Sequence, residues 1–147
     1  MARVIGGHLA RHAEPGALLV PVPLHRWLIW RRGFNQSALV ASEVAKRTGL
    51  AVHPDLIQRH RATPMLGGLG RDARARTLRG AFAVPSERRG VLKGRTVLLV
   101  DDVYTSGATA NACARVLKRA GAERVIVLCW ARVLKIDEAA VVGNGLS

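Results

Sequence analysis

The chain has 147 residues, of which 49% are apolar and 22% are charged, and its formal net charge is +13. This length fits one domain with a single core, and the apolar content excludes a globally disordered chain. The positive charge favours anionic partners such as nucleic acids, nucleotides and phosphorylated small molecules, although an arginine-rich coding bias that leaves a basic solvated surface explains the total equally well.

The first third of the chain predicts a helix, a strand and a basic loop. Arg3–Ala13 carries apolar residues at helical spacing. Ala17–Val22 is short, apolar and followed by a proline, which is typical of a buried strand. Basic residues recur in the segment from Leu24 to Gly33 and predict a basic loop.

A second helix and a second strand are predicted next. Asn35 is a predicted N-cap for a helix that runs through Lys46, and Gly49 is the residue expected to end it. Leu50–Ile57 then has the apolar content of a strand. The residues of this helix that are predicted to face the core are Leu39, Val40, Val44 and Ala45.

The stretch from Gln58 to Gly80 loses every periodic pattern. It is rich in glycine and arginine, and so long a segment without regular structure inside a domain is usually functional or disordered. We therefore predict a mobile flap over residues 58–80. Its arginines, which are opposed by the acid Asp72, are Arg59, Arg61, Arg71, Arg74, Arg76 and Arg79.

The second half alternates strands and helices. Ala81–Val84 is predicted as a short strand, and a polar turn follows to Gly94. Thr96–Val100 and Arg124–Trp130 are predicted as buried strands on either side of a helix at Thr109–Ala120. Continuous apolar strands that alternate with helices predict an α/β fold with a parallel sheet covered on both faces. The helix residues predicted to face the core are Cys113, Val116, Leu117 and Ala120.

The sequence also predicts the domain organisation and the cellular compartment. One domain is predicted over residues 1–138, and residues 139–147 are predicted to be a disordered tail. No run approaches the ~20 apolar residues of a membrane span, and Met1–Ala10 lacks the apolar segment of a secretion signal. Cys113 and Cys129 have no CxxC spacing, which favours buried, reduced thiols. These features predict a cytoplasmic protein.

The segment from Val97 to Thr109, VLLVDDVYTSGAT, carries the predicted chemistry. A buried strand ends in two carboxylates, Asp101 and Asp102, and a turn of small residues leads into a helix. Ligands of open α/β sheets bind beyond the carboxyl ends of the strands, and a helix N-terminus suits a phosphate group. The candidate phosphate-binding residues are Thr105, Ser106, Gly107, Ala108 and Thr109.

The paired acids distinguish this segment from other phosphate loops. It lacks both the GxxxxGK[ST] spacing of a P-loop and the dinucleotide fingerprint. Carboxylates would repel a bare anion, so Asp101 and Asp102 are expected to accept hydrogen bonds from hydroxyl groups. A ribose 5-phosphate meets both demands, with its phosphate on the turn and its hydroxyls on the acids. The structural alternative is a capped helix after a strand that ends in two acids by chance.

This segment resembles the phosphoribosyl-pyrophosphate (PRPP) binding motif of type I phosphoribosyltransferases. Together with VPVPLH at Val20–His25, RGFNQ at Arg32–Gln36 and the segment Leu128–Arg132, it resembles the ComF family of bacterial proteins, which is linked to natural competence. The resemblance covers most of the chain. It implies a single-domain, Rossmann-like type I phosphoribosyltransferase fold with a parallel sheet.

The resemblance also implies roles for individual residues. In the superfamily the loop after the first strand contacts pyrophosphate, which points here to Val22, Pro23, His25 and Arg32; a solvated basic turn is the alternative. The implied reaction transfers a phosphoribosyl group from PRPP to an acceptor that the sequence does not identify. Mg²⁺ is implied as a companion of PRPP, without direct ligation by protein side chains.

Two departures from the family pattern bear on activity. Family members typically carry an N-terminal zinc module with paired CxxC motifs, which residues 1–147 lack; a shortened form and a start placed too late are both open explanations. In the flap, Leu66 and Thr77 stand where the family has Gln and Asn. These differences weigh against turnover more than against the fold.

The alternative function is a non-catalytic competence module that binds single-stranded nucleic acid or a protein of the competence machinery. Trp27 and Trp30 alternate with arginines, and mixed aromatic and basic residues suit single strands. Residues 58–95 hold ten basic residues against two acids, a net charge of +8. Packing of the two tryptophans beneath the flap is the structural explanation of the same pattern.

Overall fold

The computed structural model describes residues 15–23, 33, 35–61, 70–104, 107–132 and 141–142. These residues form one four-stranded sheet, one two-stranded sheet and the helices around them. In chain order the elements are β1 Leu18–Pro21, α1 Gln36–Thr48, β2 Gln58–Arg59, α2 Arg71–Leu78, β3 Phe82–Ala83, a 3₁₀ helix Ser86–Arg88, α3 Arg89–Leu92, β4 Thr96–Tyr104, α4 Ala108–Arg119, β5 Arg124–Arg132 and β6 Val141–Val142.

The larger sheet is parallel throughout and has the strand order β1-β4-β5-β6. Leu18 of β1 pairs with Val97 of β4, and Thr96 of β4 pairs with Arg124 of β5. Parallel neighbours need crossover connections, and α4 supplies the one between β4 and β5. The predicted α/β fold with a parallel sheet is therefore confirmed.

Helices cover both faces of this sheet, as the continuous apolar strands predict. On one face α1 packs on β1 and β4, and on the other α4 packs together with the small β2–β3 sheet. The first core contains Leu19, Ala41, Val44, Leu98, Val100, Ile126 and Leu128. The second contains Leu18, Val20, Phe82, Val97, Leu99, Cys113, Leu117, Val127 and Cys129.

Helix α1 has the caps that the sequence predicts, and Val40, Val44 and Ala45 pack on the core as predicted, whereas Leu39 does not. Oδ1 of Asn35 accepts hydrogen bonds from the first turn, and Gly49 ends the helix with a left-handed φ of 75°. The prediction that Leu39 faces the core is wrong, because its side chain is 54% exposed. The buried stripe is Ser37, Ala41 and Val44, spaced by four and three residues, and Leu39 lies on the opposite side.

The predicted strand Leu50–Ile57 is also wrong. A single bridge joins Val52 to Leu19, and the chain turns at Pro54. Proline has no N–H group to continue the pairing. Leu56 and Ile57 then turn into the core that α4 covers, and this burial accounts for the apolar content that imitated a strand.

The predicted flap contains regular structure at both of its ends. Gln58–Arg59 pairs with Phe82–Ala83 as an antiparallel hairpin base, and Arg71–Leu78 is the helix α2, so an unpatterned loop is the wrong description of these residues. Leu78 is buried and α2 packs on α4, which stabilises a segment of weak helical pattern. Residues 62–69 lie outside the described part, and the mobility of the flap stays a prediction.

Several element boundaries differ from the predicted ones. Strands β4 and β5 extend to Tyr104 and Arg132 because their pairing continues beyond Asp101. The polar turn before Gly94 is a 3₁₀ helix followed by α3. Val141–Val142 pairs with β5 as β6, so the predicted tail includes a strand, while its other residues are not described.

Three further predictions concern the cysteines, a membrane span and the first helix. Cys113 and Cys129 are buried and form no disulfide bond, as predicted. Within the described ranges no helix is long and apolar enough to cross a membrane. The helix predicted at Arg3–Ala13 lies outside those ranges.

Candidate functional site

The candidate site lies at the carboxyl ends of β1 and β4, which are neighbours in the sheet. The N–H of Val22, one residue beyond β1, donates to the carbonyl oxygen of Val100 at 2.8 Å. This bond holds Val22 and Pro23, both buried, beside the point where Asp101 begins the polar part of β4. Two of the predicted pyrophosphate-loop residues and one predicted ribose-binding acid therefore meet at one edge.

Asp101 is a buried carboxylate on the α4 side of the sheet. Val97 and Leu99 point into the core beneath α4, and the strand alternation places Asp101 on the same side. Its partner in β5 is Cys129, and its side chain is 9% exposed. The sequence predicted that the strand ends at the two acids, whereas both lie inside β4. For Asp102 the structure describes the backbone.

The phosphate turn joins β4 to α4, and its described part is the start of that helix. Gly107 is buried and has a left-handed φ of 77°, a conformation that glycine adopts without the penalty of a Cβ atom. Helix α4 begins at Ala108, one residue before the predicted start, and Gly107 offers no side-chain cap to its first turn. The N–H groups of this turn, together with the part-buried hydroxyl residue Thr109, suit an anion.

Four predicted site residues are not placed by the structure. Thr105 and Ser106 of the turn, and His25 and Arg32 of the pyrophosphate loop, lie outside the described residues. The loop is nevertheless anchored at its described ends. Asn35, which caps α1, also donates from Nδ2 to the carbonyl oxygen of Val22 at 3.2 Å. The sequence identified the cap but gave no sign of this second contact.

A cation and a thiol lie near the buried acid. Burial raises the pKa of the Cys113 thiol far above its ordinary value, the charge of Asp101 raises it further, and the charge of Arg59 opposes both. Burial lowers the pKa of Arg59, whose guanidinium carbon lies 5.3 Å from the centre of the Phe82 ring. The sequence assigned Arg59 to the flap and not to this site, because nothing local links it to Asp101.

The oxygen donors of this edge suit hydroxyl groups and hard cations, but they do not form a metal cage. In the described part of the chain, no three or more His, Cys, Asp or Glu side chains are grouped so that they could hold a metal ion. A carboxylate such as that of Asp101 is an oxygen ligand of the kind that Mg²⁺ accepts, usually with the ion's remaining positions filled by water and phosphate.

Comparison with known proteins agrees with this geometry. Residues 36–138 match the phosphoribosyl transferase domain family. The DNA utilization protein YhgH of Salmonella typhi is 39% identical over 116 residues, which cover 79% of this chain and 49% of that protein. Competence protein F of Haemophilus influenzae is 32% identical over 114 residues, which cover 78% of this chain and 49% of that protein. The chain thus spans about half the length of the curated relatives it matches.

The solved structures agree at the level of the fold. Purine phosphoribosyltransferase from Pyrococcus horikoshii superposes with a TM-score of 0.55 and is 16% identical, over 97% of this chain and 85% of that one. Identity this low shows a shared fold and carries no residue roles.

Proposed function

Since the chain belongs to the phosphoribosyl transferase domain family, and the two curated relatives described above confirm the resemblance to ComF proteins, we propose that it binds PRPP and transfers the phosphoribosyl group to an acceptor. The observation that carries this proposal is the arrangement of the β4–turn–α4 unit. Buried Asp101 lies in β4, three residues before the strand ends, and the left-handed Gly107 precedes the N-terminus of α4 after the turn.

Each half of this unit has a task in the proposed complex. Asp101 and Asp102 would accept hydrogen bonds from the ribose hydroxyls, since ionised carboxylates act as acceptors alone. The backbone N–H groups from Gly107 onward, with the hydroxyls of Thr105, Ser106 and Thr109, would hold the 5-phosphate. The burial of Asp101 shields its carboxylate from bulk water, which favours a preorganised site.

The proposed reaction breaks one bond at C1 of the ribose and forms another. The C1–O bond to pyrophosphate breaks with its electron pair on the leaving oxygen, and a nucleophilic atom of the acceptor bonds to C1. Positive charge develops on the ribose ring as the bond breaks, and the carboxylates supply a negative field beside it. Val22 and Pro23, held against β4, border the space in which the pyrophosphate would lie.

Mg²⁺ fits this proposal as a companion of PRPP. Asp101 would orient the ribose hydroxyls, which are oxygen donors of the kind that Mg²⁺ accepts, so that no protein side chain need ligate the ion directly. When bound, Mg²⁺ would stabilise the negative charge of the leaving pyrophosphate. The protein side contributes the position of the sugar and the exclusion of water, which the flap over residues 58–80 would provide on closing.

Calorimetric titration of PRPP, with and without Mg²⁺, tests the proposal. We expect Mg²⁺-dependent binding by the wild type and a loss of at least about tenfold in affinity for Asp101→Asn/Asp102→Asn, which corresponds to ~1.4 kcal/mol. Asp55→Asn is the matched control, because Asp55 is exposed and lies in the turn between α1 and β2. Absence of PRPP binding by a folded wild-type protein would refute the proposal.

A second candidate function, binding of single-stranded nucleic acid, is favoured by a basic surface at the opposite edge of the sheet. The turns before β4 and β5 are joined there, because Gly94 donates to Gly121 at 3.2 Å and Glu123 donates to Arg95 at 3.0 Å. The pKa of His53 is lowered by burial and by the nearby charges of Arg95 and Arg88. The exposed basic residues of this surface are Arg88, Arg89, Lys93, Arg95, Lys118, Arg119 and Arg124, against the acids Glu87 and Glu123.

The salt dependence of binding separates this candidate from the first. Affinity for a single-stranded oligonucleotide should fall with rising salt, with a slope of about −0.7 in logarithmic units per phosphate contacted. Arg88→Gln/Arg95→Gln should reduce that slope and leave PRPP binding unchanged. Weak binding without salt dependence would exclude this function.

A further inference from the structure

Arg59 is placed where the flap meets the core. It is the last residue of β2, and its partner in the antiparallel pair is Phe82 of β3. The side chain of Phe82 is buried in the core under α4, and the Arg59 guanidinium carbon lies 5.3 Å from its ring centre. Nε of Arg59 is shielded from solvent. The side chain therefore turns inward from the base of the flap.

A cation turned toward a core requires a compensating negative group, because burial of an isolated charge is costly. Among the acidic residues whose side chains the structure describes, Asp101 is the one that is buried. It faces the same core as Phe82, since the alternation along β4 puts it on the side of Val97 and Leu99. The acid and the cation thus approach one apolar region from β4 and from β2.

Cys113 of α4 lies in the core that Asp101 and Arg59 both approach. This thiol is fully buried in the same core. Its pKa is raised by burial first and by Asp101 second, and Arg59 acts in the opposite direction. Both charges therefore act on a thiol of the same core, which agrees with the approach of the two side chains from β4 and from β2.

We propose that Arg59 is a positioning residue of the PRPP site and acts through Asp101, so that the charge at the base of the flap holds the ribose-binding carboxylate in the direction that ribose binding requires. This inference rests on the proposed PRPP site. It assigns to one flap arginine a role different from direct contact with pyrophosphate. Arg59 lies in the β2–β3 pair at the base of the flap. A change in the pairing of β2 with β3 would therefore also change the direction of the Asp101 carboxylate.

A double-mutant cycle on PRPP affinity tests the role. The proteins are wild type, Arg59→Met, Asp101→Asn and the double variant, and the readout is the calorimetric Kd for PRPP with Mg²⁺. We expect Arg59→Met alone to weaken binding by about tenfold or more, and by less than about twofold when Asp101 is already Asn. Arg59→Lys, which keeps the charge, should restore much of the affinity. Arg88→Met, an exposed arginine of the 3₁₀ helix, is the matched control.

The outcomes separate the possible roles. Equal losses from Arg59→Met in both backgrounds would show that Arg59 touches the ligand itself, and unchanged affinity would show that it has no part in the site; either result overturns the proposal. If Arg59→Met does not fold, Arg59→Gln takes its place in the cycle. If the wild type binds no PRPP, the proposed function fails, and the same four proteins compared by urea unfolding still report the pairing: additive midpoint shifts would overturn it.

Discussion

The side-chain amide of Asn35 bonds in two directions at once. Its Nδ2 donates to the carbonyl oxygen of Val22, thirteen residues earlier and 3.2 Å away, while its Oδ1 accepts from the N–H groups of Ser37 and Ala38 at the start of α1. Val22 is in turn bonded to Val100 of β4. One amide therefore fixes both ends of the segment that would contact pyrophosphate and ties them to the strand that carries Asp101.

The two functions of Asn35 can be separated by substitution. Asn35→Ser keeps an N-cap oxygen but is too short to reach Val22, whereas Asn35→Ala removes both contacts. We expect Asn35→Ala to lower the free energy of unfolding by about 1–2 kcal/mol and Asn35→Ser by clearly less. Both should weaken PRPP binding to a similar extent. Urea unfolding and calorimetry measure the two effects, and wild-type PRPP affinity in Asn35→Ser would contradict the anchoring role.

The predictable parts of this fold are those with strong local signals. Thr96–Val100 and Arg124–Trp130 are continuous apolar runs, and such runs predict buried parallel strands whatever their partners. Asn35 and Gly49 mark the two ends of α1 by cap chemistry that operates within a few residues. The acids and the turn of the candidate site were readable for the same reason, since they follow one another along the chain.

The features that escaped prediction depend on tertiary contacts. Helix α2 has little apolar periodicity, and Leu78 with the packing on α4 holds it in place. The apolar residues at Leu50–Ile57 imitate a strand, although Pro54 interrupts the pairing. The relation of Arg59 to Asp101 joins residues that are far apart in the sequence, so no local pattern could reveal it.

Gly107 tests the geometry of the phosphate turn. Its φ of 77° costs an L-residue about 1–2 kcal/mol, so Gly107→Ala should destabilise the protein by that amount and weaken PRPP binding. Gly49→Ala is the matched control: Gly49 has a φ of 75° at the end of α1, away from the site. Its substitution should cost similar stability and leave PRPP affinity intact. Equal effects of the two variants on PRPP affinity would contradict a role of the turn in binding.

The exposed side chain of Arg61, which follows β2, contacts the C-terminal end of α2. Its Nη2 donates to the carbonyl oxygens of Thr77 and Arg79, at 2.9 and 2.5 Å, and so satisfies free carbonyl groups at the end of α2. Arg61→Ala should raise hydrogen exchange of the amides in residues 71–79 while changing global stability by less than about 1 kcal/mol, because the contacts are exposed. Arg76→Ala, exposed on α2, is the control. Unchanged exchange in Arg61→Ala would show that packing alone holds the helix.

The raised pKa of the buried Cys113 thiol predicts that the protein loses stability at alkaline pH. Burial, and then the charge of Asp101, raise the pKa of its thiol in the folded protein, whereas an unfolded thiol titrates near about 8.5. Below that pH both states keep the proton, and the stabilisation is fully present. As the pH rises further, the unfolded chain releases the thiol proton while the folded chain retains it. Because the unfolded state then binds fewer protons, the free energy of unfolding falls. The decrease is at most about 1.4 kcal/mol per pH unit.

Comparison with Cys113→Ala isolates this effect, because other groups titrate alike in both proteins and cancel in the difference. At neutral pH the variant should be less stable, since the core loses the volume of the sulfur atom. Between about pH 8.5 and 10 the stability advantage of the wild type should shrink steadily in urea unfolding experiments. A constant difference across that range would mean that the thiol ionises equally in both states, and would contradict the full burial of Cys113 in the core.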